Sequence, residues 1–424
     1  MKIKYIIFLI SILLGEDFPL TEFDFSVNIY EAENVYPEKM QFHTMNNSYL
    51  TIMDSSITNL WLVKVEEVGL DFKVNQEHLT FFQKDSSFWI VMDKNMLEID
   101  TLRCINGLKA DYHDIRLLED GGYILQAYHD VVIDMTQNIE GGHPEAIVNE
   151  LVLQEFDSNH NLIFEWYAHD YLDISLYTNL NITNSQFTWM HGNSIEIDFD
   201  NNLIISNRRS DEAIKINRHT GEVIWILGGP ANQFSILNDS YYGFSKQHDI
   251  RRLINGNILV FDNGTNHNPQ LSRVCEYELN TENMTAELVW EYSHPEQYVG
   301  LSMGSSQRLS NGNTLINWGN LQNSGSIITE VDYTKNIVME IEFSLGFNIY
   351  KVRKNEWDFD INLIKGDINL DNSINIIDVL NTVQIILDTQ NVLEIIELYK
   401  LDMNLDGHID VTDLIFLINI ILEE

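Results

Sequence analysis

The 424-residue chain has only two cysteines, Cys104 and Cys275, and six prolines. Two cysteines so far apart make neither a disulfide scaffold nor a zinc site. Their spacing does not say whether they pair. Positive charge is also scarce. Lys and Arg number 25 against 64 Asp and Glu, a formal net charge of −39. A field this negative excludes a non-specific nucleic-acid binder and a protein held on anionic lipid by basic residues. No segment has the roughly 20 apolar residues of a membrane-spanning helix. Three motifs are missing as well: the phosphate-cradling GxxxxGK[ST], the zinc-binding HExxH, and the sulfatase pattern CxPxR or SxPxR.

At the N-terminus, Met1-Lys2-Ile3-Lys4 precedes a short apolar run, Tyr5 to Leu14, and then Gly15-Glu16-Asp17. Lysines, an apolar stretch and a small residue before acids predict a signal peptide over residues 1–15. Position 16 is Glu, not Cys, so no lipoprotein attachment site ends the run. The expectation is a secreted, periplasmic or cell-surface protein with no membrane span. A hydrophobic fraction of 44% with 11% aromatics supports a sizeable core, so disorder does not explain the acid excess. A solvated acidic surface, an adaptation to salt, or carboxylates held for metal ions does.

From about Phe23 to Leu345, short alternating strands are broken by Asn, Gly and Asp turns. A unit recurs, with copies starting at His113, His191, His248 and Ser306. Each is a strand, a tight turn (Asp-Gly-Gly, Asn-Asn or Asn-Gly) and a second strand. Further hairpins follow, such as Ala213 to Trp225 and Val274 to Trp290. Two hairpins per unit make four strands, the composition of a propeller blade. About 320 residues at roughly 40–60 per blade predict six blades. A β-sandwich fits poorly, because the repeat continues for too long.

Three of the four repeat copies open with a histidine: His113, His191 and His248. Gln307 stands near the fourth equivalent place. Equivalent positions of successive blades converge on the central channel, so three imidazoles are expected to meet there. Arg208, just after a strand, can enter the same space. An imidazole- and guanidinium-lined funnel suits an anionic ligand such as sulfate or phosphate. Imidazole can act there as nucleophile, general base or hydrogen-bond donor. Three histidines could instead hold zinc with an open position, but no close-spaced ligand pair supports this and Arg208 would repel the metal. His267 and His294 lie in turns and are expected in solvent.

The last 65 residues change character. Val379, Leu380, Val383, Ile386 and Leu387 mark one helical face, and Leu414, Ile415, Leu417, Ile418 and Ile421 another. Before each helix lies a twelve-residue loop. The first places Asp367, Asn369, Asp371, Asn375 and Asp378 at positions 1, 3, 5, 9 and 12, with Ser373 at 7. The second places Asp402, Asn404, Asp406, Asp410 and Asp413 likewise, with His408 at 7. Oxygens at odd positions of a tight loop, a backbone carbonyl from position 7 and a final carboxylate on the following helix surround a hard cation. Two Ca2+ ions are therefore predicted. Position 12 is Asp rather than Glu, and Asn372 stands where the sharp turn prefers Gly.

This tail resembles a type I dockerin over residues 360–424, with a linker helix near Val392–Tyr399. That resemblance implies a small all-α domain that folds on calcium and docks a cohesin-domain protein. Positions 10 and 11 of each loop (Ile376 and Ile377, Val411 and Thr412) would steer partner choice. In the propeller, His191-Gly192-Asn193-Ser194-Ile195, Ser206-Asn207-Arg208, Trp225-Ile226-Leu227-Gly228-Gly229 and Phe244-Ser245-Lys246-Gln247-His248-Asp249 occur in order at compact spacing. Together they resemble the bacterial arylsulfotransferases, secreted six-bladed propellers, over most of residues 23–345.

The second resemblance implies an enzyme occupying residues 16–355. It would move a sulfuryl group from a phenolic sulfate donor to a phenol acceptor through a sulfated histidine, without a nucleotide donor. His248 would be the nucleophile. His191 and Arg208 would hold the sulfuryl oxygens, and His113 would serve the phenol oxygen. The family usually has His after this arginine, where the chain has Arg209. Two readings of other classes compete: a non-catalytic propeller that binds anionic aromatic or sulfated glycan ligands, and a hydrolase or lyase acting on polysaccharide.

Overall fold

A computed structural model of the protein describes residues 24–359, apart from 47 and 66–68, together with 364–387 and 393–423. The signal peptide expected at residues 1–15 lies outside the described residues. No described helix is long and apolar enough to cross a membrane.

Among the described residues six sheets form the blades, antiparallel apart from short parallel additions at Gln186–Thr188 and Ser235–Leu237. The inner strands, in ring order, are Ile349–Asn355, Lys73–Asn75, Ala110–Leu117, Gly192–Ile197, His248–Arg252 and Ser305–Arg308. Both ends of the propeller chain close the ring. Phe25–Tyr30 adds to the outside of the sixth blade, and Ile349–Asn355 becomes the inner strand of the first, beside Lys39–Thr44. Closure hides the inner edges that would otherwise template another chain.

Because each sheet is covered on both faces, its central strands are apolar on both sides rather than strictly alternating. Leu203–Asn207 and Ile258–Asp262 are buried throughout. Separate apolar clusters fill the spaces between blades; Trp166, Trp189, Ile195 and Ile205 lie in one and Phe261, Trp318 and Ile316 in another.

An amide on or just after the second strand in four blades bonds main chain elsewhere in the same blade or toward the next one. Asn263 Nδ2 donates to the carbonyls of Gly300 (2.8 Å) and Met303 (2.9 Å). Asn317 Nδ2 reaches Ile349 and Tyr350 (2.7 and 3.1 Å), and Gln126 Nε2 reaches Gly192 (3.2 Å). Asn207 accepts from the His191 N–H at 2.9 Å. Gln307 is structural too, since both ends of its amide bond the main chain of Lys354.

Among the described residues three helices form the tail: Ile376–Leu387, Ile395–Leu401 and Val411–Glu423. The middle one starts at a capping box between Glu394 and Glu397, which satisfies end N–H groups that the helix cannot. Its apolar residues do not stay within the tail. Ile395 and Ile396 are buried with Trp61, Phe72 and Trp357 of the propeller, and Tyr399 stacks on Trp61 at 6.1 Å. Tyr49 Oη donates to the Leu405 carbonyl, so the second loop also touches the outer side of the first blade.

The helical faces expected from periodicity are only partly buried. Val379 and Leu417 are interior, whereas Leu380, Leu387 and Ile415 are more than half exposed. The domain is too small for two full apolar faces to meet. The surplus stays outside, beside exposed Ile376, Ile377 and Val411.

Candidate functional site

His113, His191, His248 and Arg208 come together at one end of the channel. The rings of His113 and His191 meet edge to face at 4.7 Å, and Tyr350 lies 5.6 Å from His113 and 6.0 Å from His248. Arg208 opens a single 3-10 turn directly after the strand Leu203–Asn207 and its N–H donates to the His191 carbonyl at 3.0 Å.

The tautomer of His248 follows from its neighbours. Both N–H bonds of the Asn263 amide are used by the Gly300 and Met303 carbonyls, so Asn263 Oδ1 faces the ring at 2.7 Å from Nδ1. An oxygen there requires Nδ1 to carry the proton. Nε2 then holds a lone pair, and it accepts from the Met303 N–H at 3.2 Å. The turn that brings Met303 there depends on Gly304, at φ +106°, where a Cβ would lie 2.2 Å from a Phe261 ring carbon. Burial, and then the Arg208 charge, hold His248 well below the usual imidazole range, so it is neutral at pH 7.

His113 is held differently. Its Nδ1 lies 2.7 Å from Asp111 Oδ1, which also accepts from the His113 N–H and from Gln126 Nε2. Burial pushes the Asp111 carboxyl up, but His113 and these bonds bring it below the usual carboxylate range. A carboxylate only accepts, so His113 Nδ1 carries a proton and the ring orientation is fixed. His191 is brought down to about 3, by burial and then the His113 charge. As a neutral ring it can still donate one hydrogen bond. Arg208 donates one Nη to the Leu301 carbonyl at 3.1 Å, while its Nε is buried without a hydrogen-bond partner among the described residues. An unpaired guanidinium N–H beside three imidazoles suits oxygens of an incoming anion.

Below this group the channel is filled by buried ion pairs. Asp114 contacts Lys73 and, at 3.2 Å, Arg251; Asp249 contacts Arg251 at 2.8 Å and also Arg353. Lys351 Nζ donates to the carbonyls of His113 (2.9 Å) and Asn193 (3.0 Å). This plug leaves the histidines at the floor of a funnel rather than along an open pore.

Asn263, Met303, Tyr350 and Asp111 were not singled out from sequence. For Asn263 a signal existed: an amide recurs on or just after the second strand in four repeats. Two expectations are corrected. His294 is buried, bonded to Glu340 at 2.8 Å and stacked on Tyr298. His267 is largely enclosed, with Nε2 2.7 Å from Asp262. Both are held by carboxylates in turns that fold back onto the blades. Cys104 and Cys275 are free thiols.

The tail loops are near copies of one another. Asp367 accepts from the Asp371 and Asn372 N–H groups, and Asp402 from those of Asp406 and Gly407, at 2.9–3.1 Å. Asp378 and Asp413 each accept from positions 2 and 9 of their own loop, at 2.8–2.9 Å. Asn372 (φ +66°) and Gly407 (φ +86°) share the left-handed conformation at the sharp turn, which Asn tolerates better than most residues. The four end carboxylates are almost fully buried. Burial, with Asp413 and Asp406 nearby, pushes Asp402 up to about 6, against bonds from Gly407 and the Lys365 charge. Crowded buried carboxylates with amide and carbonyl oxygens around them fit a hard divalent cation.

Acid should weaken the fold before most carboxylates titrate. His43 is fully buried, brought down to about 3 by burial and then by Lys84, with both ring nitrogens unpartnered. It and His191, likewise brought down to about 3, refuse a proton in the native state, whereas their unfolded counterparts bind one below about 6.5. Their contribution is therefore complete above 6.5 and falls as pH drops. At pH 5 the two together cost about 4 kcal/mol. Urea midpoints measured between pH 7.5 and 5 test this, and His43→Leu should flatten the slope.

The chain belongs to the arylsulfotransferase family: the family described as Arylsulfotransferase (ASST) matches residues 25–351. A Dockerin type I domain, of a class that is generally calcium-binding, matches residues 365–422. Among characterised relatives, arylsulfate sulfotransferase AssT of Escherichia coli O6:H1 is 27% identical over 196 residues, 36% of this chain. The match spans about a third (33%) of that relative's length. A protein of unknown function from Bacteroides caccae covers 75% of this chain and 98% of its own, at 13% identity and TM-score 0.46. A functionally unknown protein from Desulfotomaculum acetoxidans covers 76% and 100%, at 8% identity and TM-score 0.45. Likenesses this distant add nothing about function.

Proposed function

We propose that this protein is a secreted aryl sulfotransferase. It takes a sulfuryl group from a phenolic sulfate ester and gives it to a phenol, through a sulfated His248 and without a nucleotide donor. The observation that carries this reading is the neutral His248 ring, protonated at Nδ1 by its bond to Asn263 and with its Nε2 lone pair beside Arg208, His191 and His113.

In the first half-reaction, Nε2 gives up its hydrogen bond from the Met303 N–H and attacks the sulfur as the bond from sulfur to the phenol oxygen breaks. Arg208 and His191 donate to the sulfuryl oxygens. The departing phenolate takes a proton from Nε2 of His113, whose ring Asp111 orients through Nδ1. In the second, an acceptor phenol returns a proton to His113 and its oxygen attacks the same sulfur. The nitrogen–sulfur bond then breaks and His248 is neutral again. Splitting one displacement into two suits a nucleophile held ready in this way.

The dockerin would bind two Ca2+ through Asp367, Asn369, Asp371, Ser373, Asn375 and Asp378, and through Asp402, Asn404, Asp406, His408, Asp410 and Asp413. It would tether the enzyme to a cohesin-type partner. The exposed apolar residues Ile376, Ile377, Leu380 and Val411 support that last part.

The test is to mix purified protein with an aryl sulfate alone and then add a phenol. The expected result is one equivalent of phenol released at once, a sulfated His248 peptide, and turnover only after the acceptor is added. Sulfate release without transfer would favour a hydrolase. Ligand binding without either would favour the non-catalytic propeller.

A further inference from the structure

Beside the histidines, between the second and third blades, lies a cavity of about 380 Å³. That size falls within the range of small-molecule sites. Its walls include Phe82, Tyr112 and Tyr128, and its rim carries Lys84 and Lys109. Two of its wall rings connect it to the site. The Tyr112 ring stacks on His113 at 4.6 Å, and Tyr128 stacks on His191, with its hydroxyl 3.5 Å from His191 Nδ1. Phe82 meets Tyr112 edge to face at 6.0 Å.

Charge here runs against the rest of the molecule. In a chain with 64 acids, most basic residues are taken up by carboxylates: Lys73, Lys215, Lys354, Arg218, Arg252 and Arg273 are all in ion pairs. Lys84 and Lys109 are exposed and have no carboxylate partner among the described residues. The one acid of the wall, Asp111, is bound to His113 and Gln126. Two ammonium groups with no carboxylate partner among the described residues, above aromatic walls, attract an anion that also carries apolar surface.

We infer that this cavity receives the part of the phenol beyond the reacting ring, and that it selects phenols bearing a carboxylate or a second sulfate. The inference rests on the sulfotransfer reading above. A single sulfated histidine serves both half-reactions, so the leaving phenol and the entering phenol occupy the same place. The cavity therefore sets preference for donor and acceptor alike. It also offsets the repulsion that a net charge of −39 would impose on an anionic substrate.

The experiment compares 4-hydroxyphenylacetate with the neutral 4-ethylphenol as acceptors, and their sulfate esters as donors. Wild type, Lys84→Gln, Lys109→Gln and the double variant are used as full-length, calcium-loaded protein. The expected result is that wild type favours the acidic member in both roles. Each substitution should lower the acidic-to-neutral ratio of kcat/KM about three- to fivefold, mostly through KM, and less so at high salt. An unchanged ratio in the double variant overturns the inference while leaving sulfotransfer intact. Binding of 4-hydroxyphenylacetate is measured by calorimetry on the same proteins. Without any turnover, lysine-dependent binding would keep the cavity and sink the transfer reading; lysine-independent binding would sink both.

Discussion

In His248→Ala, transfer from an aryl sulfate to a phenol should fall by at least about 10³-fold, since the covalent step has lost its nucleophile. Folding should be little affected, because the ring is held by two hydrogen bonds rather than by packing in an apolar cluster. Near-native melting with no transfer is the outcome expected, and residual transfer within tenfold of wild type would sink the mechanism. Asn263→Ala is the companion. It keeps the imidazole but frees its tautomer, so a drop of about 10- to 100-fold in kcat is expected with little change in KM. The acid limb distinguishes this role from a purely structural one. Burial keeps His248 neutral well below the usual range, so sulfation of the wild-type enzyme in a single turnover stays flat as pH falls through 6.5. A limb near 6.5 would show a ring far more open to solvent.

Chelation should melt the tail. At a calcium level 1,000 times the dissociation constant, each ion contributes about 4 kcal/mol. In a domain of this size, 1 kcal/mol moves Tm by about 4–8 °C. Removing two ions therefore exceeds what three short helices can hold, and their helical signal should vanish at room temperature. A second effect follows from the packing of Ile395, Ile396 and Tyr399 against Trp61 and Trp357. The propeller should lose several degrees of its own Tm, and tryptophan fluorescence should shift to the red. Calorimetry with and without chelator reads both changes. If the melting trace ignores calcium, the two loops are not cation sites. Asp378→Ala should reproduce half of the effect and Asp413→Ala the other half.

The propeller was legible because its signal is repeated. Four copies of one hairpin, three opening with histidine, place His113, His191 and His248 on one axis whatever the details of each blade. The calcium loops were legible because ligand spacing is local, and position 12 lies only eleven residues from position 1. What the sequence hid depends on contacts between distant segments. His294 reads as a turn residue until Glu340, 46 positions away, is found beside it. Met303 has no pattern at all, since its role is a backbone N–H delivered by the glycine after it. Asn263 lies between these cases. Its amide recurs at equivalent places in other blades, yet only its bonds to Gly300 and Met303 reveal that its oxygen must face His248. The helical faces of the tail were over-read for a different reason. Periodicity finds apolar residues but does not say whether their cover belongs to the same chain.

The seat of the middle tail helix on the first two blades has a mechanical consequence. A dockerin on a loose tether lets its cargo swing, and substrate meets the enzyme at random angles within a volume set by tether length. Here the anchor and the funnel belong to one body. Once the tail is held, the mouth points in one direction at a constant height above whatever holds it, and neighbouring enzymes on the same support would meet a stationary target. The orientation is set where the helix packs on Trp61 and Trp357.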